Sequence, residues 1–157
     1  MDVALRFEVE ELYSRYAALL DDGPLLEWPN LFAETCFYAV TPRDNFDRGL
    51  PLSIIRCESR GMLVDRIRAV QETIMHEPRY LRHQITNVRV TDMTNGRIET
   101  AANYSVVEVL PDELPRILSV GRYIDVLQRR SDGALEFVDK RCVYDSVLVP
   151  NTIVYPL

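Results

Sequence analysis

The chain has 157 residues, of which 47% are apolar and 27% charged, a globular composition rather than a disordered or membrane one. At this length a single domain over residues 1–157 buries roughly 70% of its unfolded surface and needs no disulfide or metal to fold. The net charge of −6 argues against a nucleic-acid partner, and no apolar run approaches a membrane span.

Leu5, Val9, Leu12, Tyr16, Leu19 and Leu20 recur at helical spacing, and Asp21-Asp22-Gly23-Pro24 stops that first helix. A short second helix is predicted near Leu26–Ala33, with Trp28, Leu31 and Phe32 on its apolar side and Pro29 in its first turn. Cys36–Thr41 reads as a strand, Thr41–Pro51 as a loop and Leu52–Cys57 as a second strand. Ser59 caps a third helix whose apolar face is Leu63, Ile67, Val70 and Ile74, and Pro78 ends it.

Sheet follows. Tyr80–Thr91 is a long strand, and Asn95-Gly96 is the strongest hairpin signal in the chain. Arg97–Leu110 comes next, with Ile98, Ala102, Tyr104 and Val106 on one face. Arg116–Arg130 is a third strand in which Gly121 suggests a bulge or bend, and Leu135–Val149 is a fourth. Helices first and a long meander afterwards indicate an α+β fold. Strands this long must coil. The expected architecture is therefore a cystatin-like, ketosteroid-isomerase-like cone, with N-terminal helices packed on a strongly bent, mostly antiparallel sheet.

The scarce residues bound the chemistry. Two histidines, His76 and His83, and three scattered cysteines, Cys36, Cys57 and Cys142, cannot furnish both a Rieske cluster and a non-haem iron triad. They have the spacing for neither, so the chain is expected to be metal-free. The odd cysteine count argues against a disulfide framework, and Met1-Asp2-Val3 begins no secretory signal; both point to the cytoplasm. Seventeen of the eighteen basic residues are arginine, which suits planar pairing at interfaces or reflects base composition; Lys140 is the sole lysine.

His83, early in a strand, is the candidate general base, with Tyr16, Asp65 or Tyr104 as helpers in a pocket inside the cone. The plainer reading is a hydrogen-bonded histidine at the core edge or at a subunit interface. His76, just before Pro78, reads as exposed or interfacial. The charged loop with Arg43, Asp44, Asp47 and Arg48 is either solvated or docks a partner, and Asp139, Arg141 and Asp145 read as structural cross-strand charges. The tail Asn151–Leu157 is apolar to its last residue, so it packs on its own sheet or on a neighbour.

Several stretches, in this order, resemble the small (beta) subunits of aromatic-ring-hydroxylating dioxygenases. They are Trp28 through Phe32 with Tyr38-Ala39-Val40-Thr41; Asn45 with Asp47; Ser59 through Arg66; Arg82-His83 with Thr86-Asn87-Val88; Gly121 through Asp125; and Arg141 with Asp145-Ser146. Glu34-Thr35 departs from the Glu-Asp of many relatives. The middle segment is most similar to subunits serving benzoate-type acids such as salicylate or terephthalate. The resemblance implies a cone-fold subunit that forms a homotrimer and joins three large (alpha) subunits in a hetero-hexamer. The Rieske iron-sulfur cluster and mononuclear iron then reside in the large subunit, and this chain carries no catalytic or cofactor-binding residue. Arg66, Arg82, His83, Arg122 and Arg141 fall at polar motif positions and become interface candidates. A stand-alone isomerase or dehydratase using His83 with a carboxylate is the competing expectation.

Overall fold

The computed structural model describes residues 2–73, 78–148 and 153–157. Helix α1 spans Val3–Asp22; Asp2 caps it by accepting from the Ala4 N–H, and it buries Leu5, Val9, Leu12, Tyr13, Tyr16, Leu19 and Leu20. The short second helix is a 3-10 helix over Leu25–Leu31, and strand β1 (Phe32–Pro42) starts at once after it. Phe32 is therefore a strand residue, paired with Phe137.

The predicted loop after β1 contains a short helix, α2 (Arg43–Asp47), and the next strand is confined to β2 (Ile55–Cys57). Helix α3 (Arg60–Glu72) starts at the expected cap, where Ser59 Oγ accepts from the Met62 N–H. Leu63, Ile67 and Val70 are its buried face; Ile74, expected to extend it, and His76 lie outside the described residues.

The remaining strands are β3 (Tyr80–Thr94), β4 (Arg97–Val109), β5 (Arg116–Arg129) and β6 (Leu135–Tyr144). Asn95 and Gly96 both have positive φ, so the β3–β4 turn is the tight hairpin their pairing predicts. All six strands form one sheet in the order β2-β1-β6-β5-β4-β3, antiparallel except where β1 runs parallel to β6. Helix α1 lies across the concave face. Its Tyr13 reaches Thr100 on β4 and Asp125 on β5, its Asp21 reaches His83 on β3, and its Glu8 pairs with Arg129 on β5.

Gly121 marks no bulge. It pairs in register with Tyr104 and Tyr144, and the bulges lie elsewhere, between Val106 and Val107 and between Val126 and Leu127. Its requirement is space: a Cβ there would stand 2.0 Å from the Val143 carbonyl oxygen. The tail folds onto its own core, with Ile153 and Leu157 buried, while Asn151 and Thr152 lie outside the described residues.

Candidate functional site

The concave side of the sheet is where a cone of this kind would hold a ligand, and in this chain aromatic side chains fill it. Trp28, Tyr16, Tyr38, Tyr123, Phe32 and Phe137 are fully buried and meet mostly edge to face. Tyr104 stacks on Tyr123 with ring centroids 4.5 Å apart.

The sole lysine sits among these rings. Lys140 Nζ lies over the faces of Tyr123 at 3.5 Å, Tyr16 at 4.4 Å, Phe137 at 4.7 Å and Tyr13 at 4.9 Å. It donates to Asp125 Oδ2 at 2.9 Å. Asp125 also accepts from Tyr13 Oη at 2.5 Å and from the Arg141 N–H at 3.2 Å. Burial pushes the Asp125 carboxyl above its usual range, and the Lys140 charge opposes that rise. Sequence patterning missed this pair, because a lone lysine on an alternating strand reads as a solvent-facing residue.

His83 also turns inward, on β3. Its Nδ1 is 2.6 Å from Asp21 Oδ1, and its main-chain N–H donates to both Asp21 oxygens. A carboxylate that accepts twice from one residue sets the proton on Nδ1. The imidazole is fully buried. The carboxylate expected beside it, Asp65, is instead exposed on α3. Asp21 takes that place because α1 ends against the start of β3. Tyr104 Oη bonds Ser119 Oγ at 3.1 Å, and Tyr16 Oη donates to the main-chain oxygen of Leu157. Of the four residues of the alternative pocket, Tyr16 and His83 meet edge to face with ring centroids 6.5 Å apart, while the Tyr104 hydroxyl bonds Ser119 and Asp65 stands apart on α3. A cleft of about 490 Å³ opens between α1 and β3, with the Arg6–Glu10 ion pair, Ser14, Thr86 and Asn87 among its lining.

The five arginine and histidine interface candidates each have a partner within the chain. Arg66 Nη2 donates to the carbonyls of Val154 at 3.1 Å and Ile153 at 3.3 Å, holding the tail. Arg82 pairs with Asp22 at 2.8 Å, next to the His83–Asp21 contact. Arg122 pairs with Asp47 at 3.0 Å and covers Phe46, clamping α2 to β5. Arg43 extends that cluster to Asp145 at 3.2 Å. Arg141 grips Asp139 through two bonds and lies over Phe37. Among the described residues no three His, Cys, Asp or Glu side chains converge as a metal site. No described helix is long and apolar enough to cross a membrane.

A family model described as "Ring hydroxylating beta subunit" matches residues 15–151. The chain belongs to that family. It is 32% identical to the anthranilate 1,2-dioxygenase small subunit of Burkholderia cepacia, over 99% of this chain and 96% of that one. It is 28% identical to a beta subunit of the terephthalate 1,2-dioxygenase terminal oxygenase component of a Comamonas species, over 96% and 97% of the two chains. A crystal structure assigned as the beta subunit of an aromatic-ring-hydroxylating dioxygenase from Novosphingobium aromaticivorans superposes with a TM-score of 0.87 at 30% identity, covering 97% of this chain and 95% of its own. The cone predicted for a ring-hydroxylating beta subunit is the fold this chain adopts.

Proposed function

We propose that this beta subunit is a structural, non-catalytic component of its dioxygenase. In this reading it forms a homotrimer and joins three large subunits in a cytoplasmic hetero-hexamer. The large subunit holds the Rieske cluster and the mononuclear iron and performs the hydroxylation. The observation that carries the reading is the filled interior. The acid–base pair in it, Asp125 with Lys140, is sealed by packing, and the His83 imidazole beside the α1–β3 cleft is engaged by Asp21, whereas a catalytic acid or base must reach its substrate. The names of the relatives, an anthranilate and a terephthalate dioxygenase, support an aromatic carboxylic acid as the substrate of the assembled enzyme.

Arg82, Arg122 and Arg141 keep part of their side chains exposed and remain available to a neighbouring subunit; Arg66 and His83 are engaged inside the chain. The test is coexpression with the large subunit. A complex containing both chains is expected, and light scattering of this chain alone should give a trimer. In the assembled enzyme His83→Ala should leave turnover unchanged. A monomer indifferent to the large subunit, or a His83→Ala complex that assembles fully and has lost turnover, would overturn the reading.

A further inference from the structure

The chain's own tail fills part of the cone. Ile153–Leu157 belong to no helix or strand, yet Leu157 is fully buried. Its main-chain N–H donates to Tyr38 Oη at 2.9 Å. Its main-chain oxygen accepts from Tyr16 Oη, from Cys142 Sγ at 3.1 Å and from Tyr38 Oη at 3.3 Å. All three donor residues are fully buried as well. They come from α1, β6 and β1, so only the complete fold brings them together.

These groups offer more than a stretch of backbone needs. A neutral carbonyl oxygen has two lone pairs, whereas three donors converge on this one. That number suits an anionic oxygen. Trp28 meets both phenol rings edge to face, and its buried indole N–H has no hydrogen-bond partner among the described residues. Apolar walls with a few convergent polar groups are the usual make-up of a small-molecule site. Leu157 sits among them as a ligand would, with an isobutyl body, one donor and one acceptor.

We propose that the receptor closed by Leu157 takes a small apolar carboxylic acid when the tail is displaced, so that tail and acid compete for one site inside the cone. One carboxylate oxygen replaces the Leu157 oxygen, and the Trp28 N–H is a further donor in the same wall for the other. The apolar body replaces the isobutyl group. This adds a ligand to a chain read above as non-catalytic and requires no chemistry inside the cone. Only chains with the tail displaced can bind, so the observed Kd is the intrinsic one divided by that fraction. Arg66 keeps the fraction small through its bonds to the Ile153 and Val154 carbonyls. Loosening the tail must therefore tighten the acid.

The probe is N-acetyl-L-leucine, which carries the isobutyl group, the N–H and a carboxylate. N-isopentylacetamide is the same molecule without the carboxylate. Calorimetry is run on the full wild-type chain and on two full-length variants that loosen the plug, Arg66→Ala and Leu157→Gly, with circular dichroism to verify the fold. Each variant is expected to bind the acid roughly tenfold more tightly than the wild type does. The amide should bind roughly tenfold more weakly than the acid, or worse. In a folded variant, saturating acid should quicken hydrogen exchange at residue 157 and leave the β4–β5 ladder unchanged. Should both variants unfold, the same exchange measurement on the wild type with rising acid decides, and exchange independent of the acid overturns the proposal. No binding to a folded variant also overturns it, as does acid that binds without quickening exchange at residue 157. Equal affinity for the acid and the amide overturns the assignment to a carboxylic acid.

Discussion

Lys140 and Asp125 form an ion pair 2.9 Å long in which neither side chain is exposed to solvent. Four aromatic faces surround the ammonium, and Tyr13 and the Arg141 amide complete the carboxylate. Desolvating two charges is costly, and what offsets it here is the completeness of the shell. Lys140→Met removes the ammonium that opposes the rise of the buried Asp125 carboxyl and leaves that acid with one donor fewer, and should cost about 3–5 kcal/mol. Lys140→Met combined with Asp125→Asn should recover at least about 1 kcal/mol of the summed single losses. Urea unfolding of the four proteins in the cycle measures this coupling; strict additivity would show that the two groups do not act as a pair.

Gly121 is fixed by the approach of a neighbouring strand. Gly121→Ala drives a methyl group into the Val143 carbonyl, which belongs to paired backbone and cannot swing aside. The expected loss is at least about 3 kcal/mol, read as a fall in Tm of roughly 6–12 °C. A variant that melts with the parent would mean that β5 and β6 can separate locally at little cost.

Alkaline pH should unfold the chain cooperatively. Burial raises the phenol groups of Tyr13, Tyr16, Tyr38 and Tyr123 well above the ordinary value of 10.0, and it pushes the Cys142 thiol up to about 12. These groups ionise first in the unfolded chain, so the unfolded state holds fewer protons above pH 10 and stability falls as pH rises. Each phenol contributes about 1.4 kcal/mol per pH unit in that window. Phenolate absorbance from the buried tyrosines should therefore appear together with the loss of circular dichroism. Smooth ionisation of all tyrosines before any loss of structure would contradict the sealed interior.

Arg66 joins α3 to the tail. Arg66→Ala removes two donors from the carbonyls of Ile153 and Val154 and should cost about 1–3 kcal/mol, with Arg66→Lys restoring only part. Hydrogen exchange should quicken at Leu157, whose N–H donates to Tyr38 Oη, before it quickens in β4 or β5. Uniform acceleration throughout the sheet would show that the tail and the cone open as one unit.

Local signals carried much of the fold. The spacing of Leu5, Val9, Leu12 and Tyr16 marks α1, Ser59 opens α3, and Asn95-Gly96 turns β3 into β4. Each of those features is decided within a few residues. The interior was far less legible, because its contacts span the chain. Asp21 reads as part of a helix stop, and only the arrival of β3, 62 residues later, makes it the partner of His83. Tyr13 follows Leu12 on the helix and escapes a spacing argument, although its hydroxyl binds residues of two strands. Phe32 fits an apolar helix face as well as a strand; its pairing with Phe137 decides between them. The motif arginines were legible as important positions, whereas their partners, such as Asp47 for Arg122, were set by the docking of α2.

The parallel seam between β1 and β6 has a consequence for how the molecule is made. Phe37 must find Asp139 and Val40 must find Cys142, so the seam joins segments about a hundred residues apart in sequence. Contacts of that range are slow to form, since the loop between them must close before any reward is gained. The hairpins β3–β4 and β4–β5 can assemble from their own turns. β1, by contrast, has only the three-residue β2 beside it until β6 arrives. Closure of this seam should therefore set the pace of folding, and a ribosome-bound chain lacking β6 would present an open edge to whatever strand is nearest.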